Sequence, residues 1–596
     1  MSDYAEKIEK LLINVEKPAR YTGGEYNTPD MNKPCSVRVC MCFPDLYEVG
    51  MSNLGIRILY HMLNDIEGVV AERCFAPWDD YAAVLKEEGI PLCSLETVKP
   101  LKEFDIIGIS VQFELLYTNI LYMLELSGIP FYASERGDNY PLIVGGGPCS
   151  VNPEPFAPFF DLIVIGEGED AMKALTLLYS KYKSKGRSRS DYLKAAADIE
   201  GVYVPSLAET IEGQFVTVKN YTVKETYMRD YPNGYFPTAI LLPNIEAVHD
   251  RPVLELFRGC PNGCRFCQAG FYYRPIRKRS ADRVIELAKK TIEETGFDEI
   301  SLASLSSGDY PELPEVVTRL SNLCNEKGVN LSLPSLRMDS FSGAMAESSR
   351  LGSLTFAPEA GTQRLRNVIN KNISESDIDN TMKEAFEMGY SSVKLYFMAG
   401  LPTETYEDLD GIRKMILRIK SLYGQYGRRG RVLSIVMSAA VFVPKPLTPF
   451  QWEAHMDMEE VNRRITYLRE NLRIKGVRFN WHDIDSSALE TALARGDRKL
   501  AKVVELAYRA GARFDSWSEK FKFSLWVDAF KAAEIDINNY TGEISESEPL
   551  PWDFIDAYVS KNYLLKERQK SLIGETTDSC LKGCRGCSER KGDCGL

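Results

Sequence analysis

Cys260, Cys264 and Cys267 stand at C-x3-C-x2-C spacing in the stretch Phe257-Arg258-Gly259-Cys260-Pro261-Asn262-Gly263-Cys264-Arg265-Phe266-Cys267. Soft thiolates this close together in a Gly-rich loop suit an iron–sulfur cluster or zinc. Three ligands rather than four is the informative part. A [4Fe–4S] cluster held by three cysteines leaves one iron open, and an open iron can bind and activate a small molecule. The competing reading is a structural zinc knuckle completed by a distant fourth ligand. A second group, Cys580, Cys584 and Cys587, repeats the spacing, with Cys594 close behind. It suits an auxiliary iron–sulfur cluster or a tetrahedral zinc, the alternative being a tail of free thiols.

The elements that must position these groups read as α/β. An apolar run, Val253 to Phe257, enters the first cysteine loop as a strand. Further strands are expected at 298–303, 330–339, 353–357, 392–398 and 433–438, each followed by a helix or a Gly-rich turn. Six such βα units predict a partial (β/α)6 TIM-type barrel over 250–490, with function at its C-terminal rim. Upstream, 36–43, 105–111, 141–144 and 161–165 read as buried parallel strands running into Gly-rich ends, a Rossmann-like domain over 34–190. Lys183 to Asp191 reads as a basic, Ser-rich linker, and 191–249 as a β-rich connection without catalytic signal. Residues 1–33 form an N-terminal extension, and 491–596 a C-terminal extension ending in the Cys-rich tail. Its aromatic stretch, Phe514 to Phe530, is expected to pack against the barrel mouth.

Composition sets outer limits. A chain of 596 residues holds roughly three or four domains. The net charge of −12 and pI near 5.3 argue against broad phosphate-backbone binding. One basic cluster, Arg428, Arg429 and Arg431, reads as a solvated turn or a local anion contact. Arg274, Arg277 and Arg279 can face an anionic group or serve as an ordinary basic loop. The longest apolar run is too short for a membrane span, and the N-terminus lacks a signal-peptide core, so a cytoplasmic protein is expected. Fourteen cysteines there are not a disulfide framework. Those outside the two tight groups, such as Cys40, Cys42, Cys74, Cys93 and Cys324, read as small core residues.

The cysteine loop after a first strand resembles the radical SAM superfamily, in which S-adenosylmethionine (SAM) chelates the open iron. Gly400-Leu401-Pro402-Thr403-Glu404, after the fifth strand, resembles the same core. The resemblance implies SAM contacts at Ser307, Gly308 and Asp309, at Arg337 for the carboxylate and at Glu359 for the ribose; Arg337 and Glu359 can equally be halves of structural ion pairs. The first domain resembles the cobalamin-binding fold, whose signature D-x-H-x-x-G, S-x-L, G-G appears here as Asp45-Leu46-Tyr47-Glu48-Val49-Gly50, Ser110-Val111-Gln112 and Gly145-Gly146. Tyr47 stands where that family has its cobalt-ligating histidine, which implies base-off cobalamin without histidine, or a domain that kept the fold and lost the cofactor. The long gap between Asp45 and Ser110 implies an insertion around 66–100.

Over about 34–490 the chain resembles cobalamin-domain radical SAM proteins of an uncharacterised branch. That resemblance implies reductive cleavage of SAM to a 5′-deoxyadenosyl radical, hydrogen abstraction from an unactivated carbon and, through methylcobalamin, C-methylation. A one-electron donor such as flavodoxin or ferredoxin is implied; the substrate is not inherited. Two other readings share the same residues. One is a radical SAM enzyme using the terminal centre for sulfur insertion or dehydrogenation, with RNA as one candidate substrate, although no RNA-binding module is evident. The other is a non-catalytic iron–sulfur sensor or electron carrier.

Overall fold

The computed structural model describes residues 4–332, 353–428, 430–588 and 594. In the first domain, β1 (Val37–Phe43), β2 (Val69–Phe75), β3 (Ile106–Ser110), β4 (Leu142–Gly146) and β5 (Leu162–Val164) pair in parallel in the order β2-β1-β3-β4-β5. A short β6 (Val202–Tyr203) closes the edge antiparallel to β5. Runs such as Ile106-Ile107-Gly108-Ile109 and Leu162-Ile163-Val164 are buried throughout, as strands covered by helices on both faces require. β1 lies between β2 and β3, so the strand order reverses there, and such sheets bind ligands at the carboxyl ends near that reversal.

β2 falls inside the stretch read as an insertion. Its second half, Glu72-Arg73, carries charges that disguise a buried strand. They are tolerated because Arg73 pairs with Glu25 at 2.9 Å and Glu96 at 2.7 Å, while Glu72 accepts from Ser94 and Thr97, both at 2.7 Å. The expected linker at 183–191 is also largely helical: one helix spans Gly168–Ser184, and the next, Arg189–Ala196, is capped by Ser188. Further along, β7 (Glu209–Glu212) and β8 (Val216–Lys219) form a hairpin, and β9 (Val223–Lys224) pairs with Ile555–Asp556 of the C-terminal region.

The second domain begins with β10 (Val253–Glu255) and a hairpin of β11 (Phe257–Arg258) and β12 (Arg277–Lys278). β10, β13 (Glu299–Ala303) and β14 (Asn330–Ser332) form one parallel sheet; β15 (Leu354–Glu359), β16 (Ser392–Ala399), β17 (Ser434–Val441) and β18 (Val477–Trp481) form another. The second half of the expected third strand lies outside the described residues. β18 was not expected from sequence: Val477-Arg478-Phe479-Asn480-Trp481 alternates and is half exposed, and only its pairing with β17 defines it. Helix Ala281–Thr295 shows how locally the connections are encoded, with Ser280 accepting from the Arg283 amide at its start and Gly296, at φ 69°, ending it.

The C-terminal aromatic stretch packs on the first domain, not on the barrel mouth. Phe514 lies 4.9 Å from Trp78, its amide donates to Asn119, and Asp515 accepts from Thr118. Lys520 and Arg513 both pair with Asp79, so opposite charge on the first domain decides the docking. Trp526 is fully buried there as core. Among the described residues no helix is long and apolar enough to cross a membrane.

Candidate active site at the junction of two sheets

The cysteine loop starts immediately after β11. Gly259 has φ 86°, and a Cβ there would sit 3.0 Å from the carbonyls of Tyr273 and Pro275, so only glycine lets the chain turn this closely. Cys260, Cys264 and Cys267 are all partly buried. Burial pushes the Cys260 thiol up to about 11 and Cys267 to about 12, with neighbouring Cys264 adding to both. Such thiols stay protonated until a metal displaces the proton. Their charges act on one another, yet among the described residues no three His, Cys, Asp or Glu side chains close around a single ion. Three soft donors spread over one loop fit a polynuclear iron–sulfur cluster better than one zinc ion.

Neighbouring elements hold this loop. The Asn262 amide donates to Asp309 at 2.6 Å, and Ser306 donates to the same carboxylate oxygen at 2.6 Å. Ser307, Gly308 and Asp309 form a 3-10 turn just after β13, so the turn expected to meet SAM lies against the cysteine loop. Asp309 Oδ2 is already engaged there. Glu359 ends β15 at φ 67° and pairs with Lys371 at 3.3 Å. Burial raises its carboxyl and Lys371 only partly offsets this. The charge of Lys371 also reaches Cys267, which places the pair beside the loop. Asn370 donates to the Gly263 carbonyl at 3.0 Å. Arg337 lies outside the described residues.

Arg274, Arg277 and Arg279, read as able to face an anionic ligand or to form an ordinary basic loop, are each bonded into the protein. Arg277 forms two 2.7 Å bonds to Glu167; Arg279 bonds Tyr231 and the Glu255 carbonyl; Arg274 bonds the carbonyls of Gly270 and Asn262. Arg258, two residues before Cys260, pairs with Glu169 at 2.7 Å, Glu255 at 3.0 Å and Glu167 at 3.3 Å. Glu167 and Glu169 come from the loop after β5, so this network clamps the first domain to the second. In the sequence Gly166-Glu167-Gly168-Glu169 is the Gly-rich end of the 161–165 strand, and the partners of its charges, Arg258 and Arg277, lie about 90 to 110 positions further on. Arg428 and Arg431 bond the carbonyls of Met388 and Gly389, as a helix-end contact; Arg429 is outside the described residues.

Between the two domains lies a cavity of about 640 Å³. Its first-domain wall is Gly108–Ser110, Gln112, Gly145–Gly147 and the loop at Gly166–Glu169; its second-domain wall is Phe257–Gly259 and Ser301–Leu305. It therefore joins the carboxyl ends of both sheets. Of the residues assigned to cobalamin, Ser110, Gln112, Gly145 and Gly146 line it, and Gln112 donates to Ser110 at 2.6 Å. Asp45, Tyr47 and Gly50 do not. Asp45 accepts from Trp517 at 2.9 Å and anchors the C-terminal region. Tyr47 is buried against Phe75, donates to Glu25 at 3.0 Å and accepts from the Asn244 amide. A Cβ at Gly50 would strike Phe75 at 2.2 Å, so this glycine serves packing. His249 does line the cavity, a residue sequence reading passed over because it sits in the silent bridge.

Residues 254–416 match the model of the radical SAM superfamily, and residues 55–205 match that of radical SAM proteins, N-terminal. With the three-cysteine loop, the class is defined: the chain is a radical SAM enzyme, which implies a [4Fe–4S] cluster and SAM as co-substrate. An uncharacterized protein of Methanocaldococcus jannaschii is 29% identical over 469 residues, 78% of this chain and 90% of that one. The anaerobic magnesium-protoporphyrin IX monomethyl ester cyclase of Cereibacter sphaeroides is 23% identical over 44% of this chain and 41% of its own. Among solved structures, the cobalamin-dependent SAM radical enzyme OxsB with aqua-cobalamin and SAM bound matches with TM-score 0.44 at 13% identity, covering 90% of this chain and 79% of that one. The radical SAM methyltransferase TsrM from Kitasatospora setae, with cobalamin and a [4Fe-4S] cluster bound, matches with TM-score 0.43 at 15% identity, covering 67% and 74%.

Proposed function

We propose that this radical SAM enzyme is cobalamin-dependent and methylates an unactivated carbon. The observation that carries the reading is the cavity shared by the two sheets' carboxyl ends. Ser110, Gln112, Gly145 and Gly146 would hold the cofactor on the first-domain wall, across the cavity from Phe257–Gly259 where the strand leads into the cysteine loop. The wall fits such a group: Gly146 has no non-neighbouring atom within 3.7 Å of where a Cβ would be, so backbone can approach a ligand there. Leu54, Ile56, Leu59 and Met172 supply apolar surface.

When bound, the cluster and cobalamin supply the electron for SAM cleavage and the methyl transfer. The chain supplies placement. Cys260, Cys264 and Cys267 hold the cluster, and the 3-10 turn at Ser307–Asp309 and the Glu359–Lys371 pair flank it as the candidate SAM contacts. The Arg258–Glu167–Glu169 network keeps the two walls in register. Tyr47, spent on Glu25, offers cobalt no ligand. The test is anaerobic reconstitution with iron, sulfide and hydroxocobalamin, followed by gel filtration. Cobalamin co-eluting near one per chain, with 5′-deoxyadenosine formed on adding reductant and SAM, supports the reading. SAM cleavage without retained cobalamin leaves a radical SAM enzyme of another kind.

A further inference from the structure

The terminal cysteines do not hang free of the first cysteine loop. The Cys580 amide donates to the Pro261 carbonyl at 2.9 Å, inside that loop. Just upstream, Thr577 exchanges bonds with Asn370 at 2.8 and 3.0 Å, and Asn370 also holds Gly263. Arg265, between Cys264 and Cys267, is buried against Glu567 at 3.0 Å and donates to the Glu575 carbonyl at 2.7 Å. Further along, the Cys587 carbonyl accepts from the Ser560 amide at 2.9 Å. The segment from Glu567 to Cys580 that leads into the Cys-rich tail is therefore seated on the loop, and Cys587 is held by Ser560.

One buried cation lies at the seam. Arg274 is 3% exposed and gives two of its nitrogens to Asn262 and Gly270 of the first loop. Its Nη1 has no hydrogen-bond partner of good geometry. The acidic groups nearest in effect to this guanidinium are the thiols of Cys587 and then Cys580. Cys580 in turn lies within reach of the charges of Cys587, Cys594 and Cys584. An unpartnered guanidinium nitrogen beside a group of thiols is the surrounding that thiolates bound to a metal require.

We propose that Cys580, Cys584, Cys587 and Cys594 hold a second thiolate-bound metal centre, seated on the first cysteine loop with the Arg274 guanidinium lodged between the two. This rests on reading Cys260, Cys264 and Cys267 as the [4Fe–4S] site. As at the first loop, the described thiols do not close around a single ion, which favours an iron–sulfur cluster over zinc; a centre with four thiolates carries net negative charge. So close to the first cluster, it disfavours adding an electron there. The tail thus sets the potential at which the first cluster accepts its electron.

The full chain, purified without air and reconstituted with iron and sulfide, is compared with Cys584→Ser and Cys580→Ser. Cys584 is exposed, so its replacement leaves the packing intact. Iron, zinc and sulfide are counted per chain, and the first cluster is titrated potentiometrically by EPR. The wild type should carry metal beyond four irons. Both variants should lose that surplus and keep the four irons, with the midpoint potential moved to more positive values. Zinc or iron as the surplus each places a metal in the tail and names it. Equal metal content in wild type and variants, or an unmoved midpoint, overturns the proposal. Cys264→Ala is the separate control: it should lose the four irons and keep the surplus, and a wild type without iron would overturn the first reading instead.

Discussion

Asn262 donates to Asp309 across 2.6 Å, tying the loop that carries three cysteines to the turn that follows β13. A hydrogen bond to a charged group contributes about 1.5–3 kcal/mol, roughly 10- to 100-fold in an equilibrium. Replacing Asn262 by Ala should therefore weaken SAM binding by about that factor while the iron content stays at wild-type level. Equilibrium binding of SAM to the reconstituted, unreduced protein measures it; an unchanged affinity would show that the turn does not shape the SAM site.

Cys264→Ala removes one of three cluster ligands, and two thiolates do not retain a four-iron cluster against chelators. The variant should lose its cluster iron and form no 5′-deoxyadenosine under reducing conditions, with the fold intact by circular dichroism. Formation of 5′-deoxyadenosine at even a tenth of the wild-type rate would contradict the role given to this loop.

Gly146→Leu places a side chain into the cavity without a clash at its Cβ, whose nearest non-neighbouring atom is Val164 at 3.7 Å. Cobalamin affinity should fall by about 5- to 150-fold, since overfilling a packed ligand site costs on the order of 1–3 kcal/mol. Cluster iron and SAM cleavage without substrate should persist. Loss of both together would mean the substitution disturbs the fold, and undiminished cobalamin would exclude this wall as its site.

Glu167 links the domains through Arg258 and Arg277. Burial alone would raise its carboxyl, but Arg258 and then Arg277 overrule this and hold it below the ordinary value. A depressed folded-state pKa stabilises the protein above the unfolded value, near 4.3, and that stability is lost as pH falls toward the folded pKa. Glu167→Gln takes the paired carboxylate from buried Arg277 and one of three from Arg258, and should cost roughly 3–5 kcal/mol at neutral pH. It should also flatten the acid limb of the stability curve below about pH 4. Thermal denaturation across pH reads both effects.

What was legible in the sequence was local. The cysteine loop announces itself because cluster ligands sit a few residues apart, and β1, β3, β4 and β5 read as strands because both faces demand apolar residues. What escaped depends on partners far along the chain. Tyr47 and Asp45 look like a cofactor motif until Glu25, Asn244 and Trp517 arrive from elsewhere; Asp45 and Trp517 are 472 positions apart. β2 was hidden because Glu72 and Arg73 are neutralised by Arg38, Glu25 and Glu96, and β18 because an edge strand carries half a pattern. The basic run Arg274 to Arg279 read as a ligand surface, although its counter-charge and carbonyls lie inside the protein.

The bond from Arg265 to the Glu575 carbonyl spans 310 positions. On the ribosome, the nascent loop must therefore wait for nearly the whole polypeptide before its latch emerges. Termination anywhere in between leaves the loop with its contacts to Asp309 and Asn370 at most and without the cover that the C-terminal segment provides.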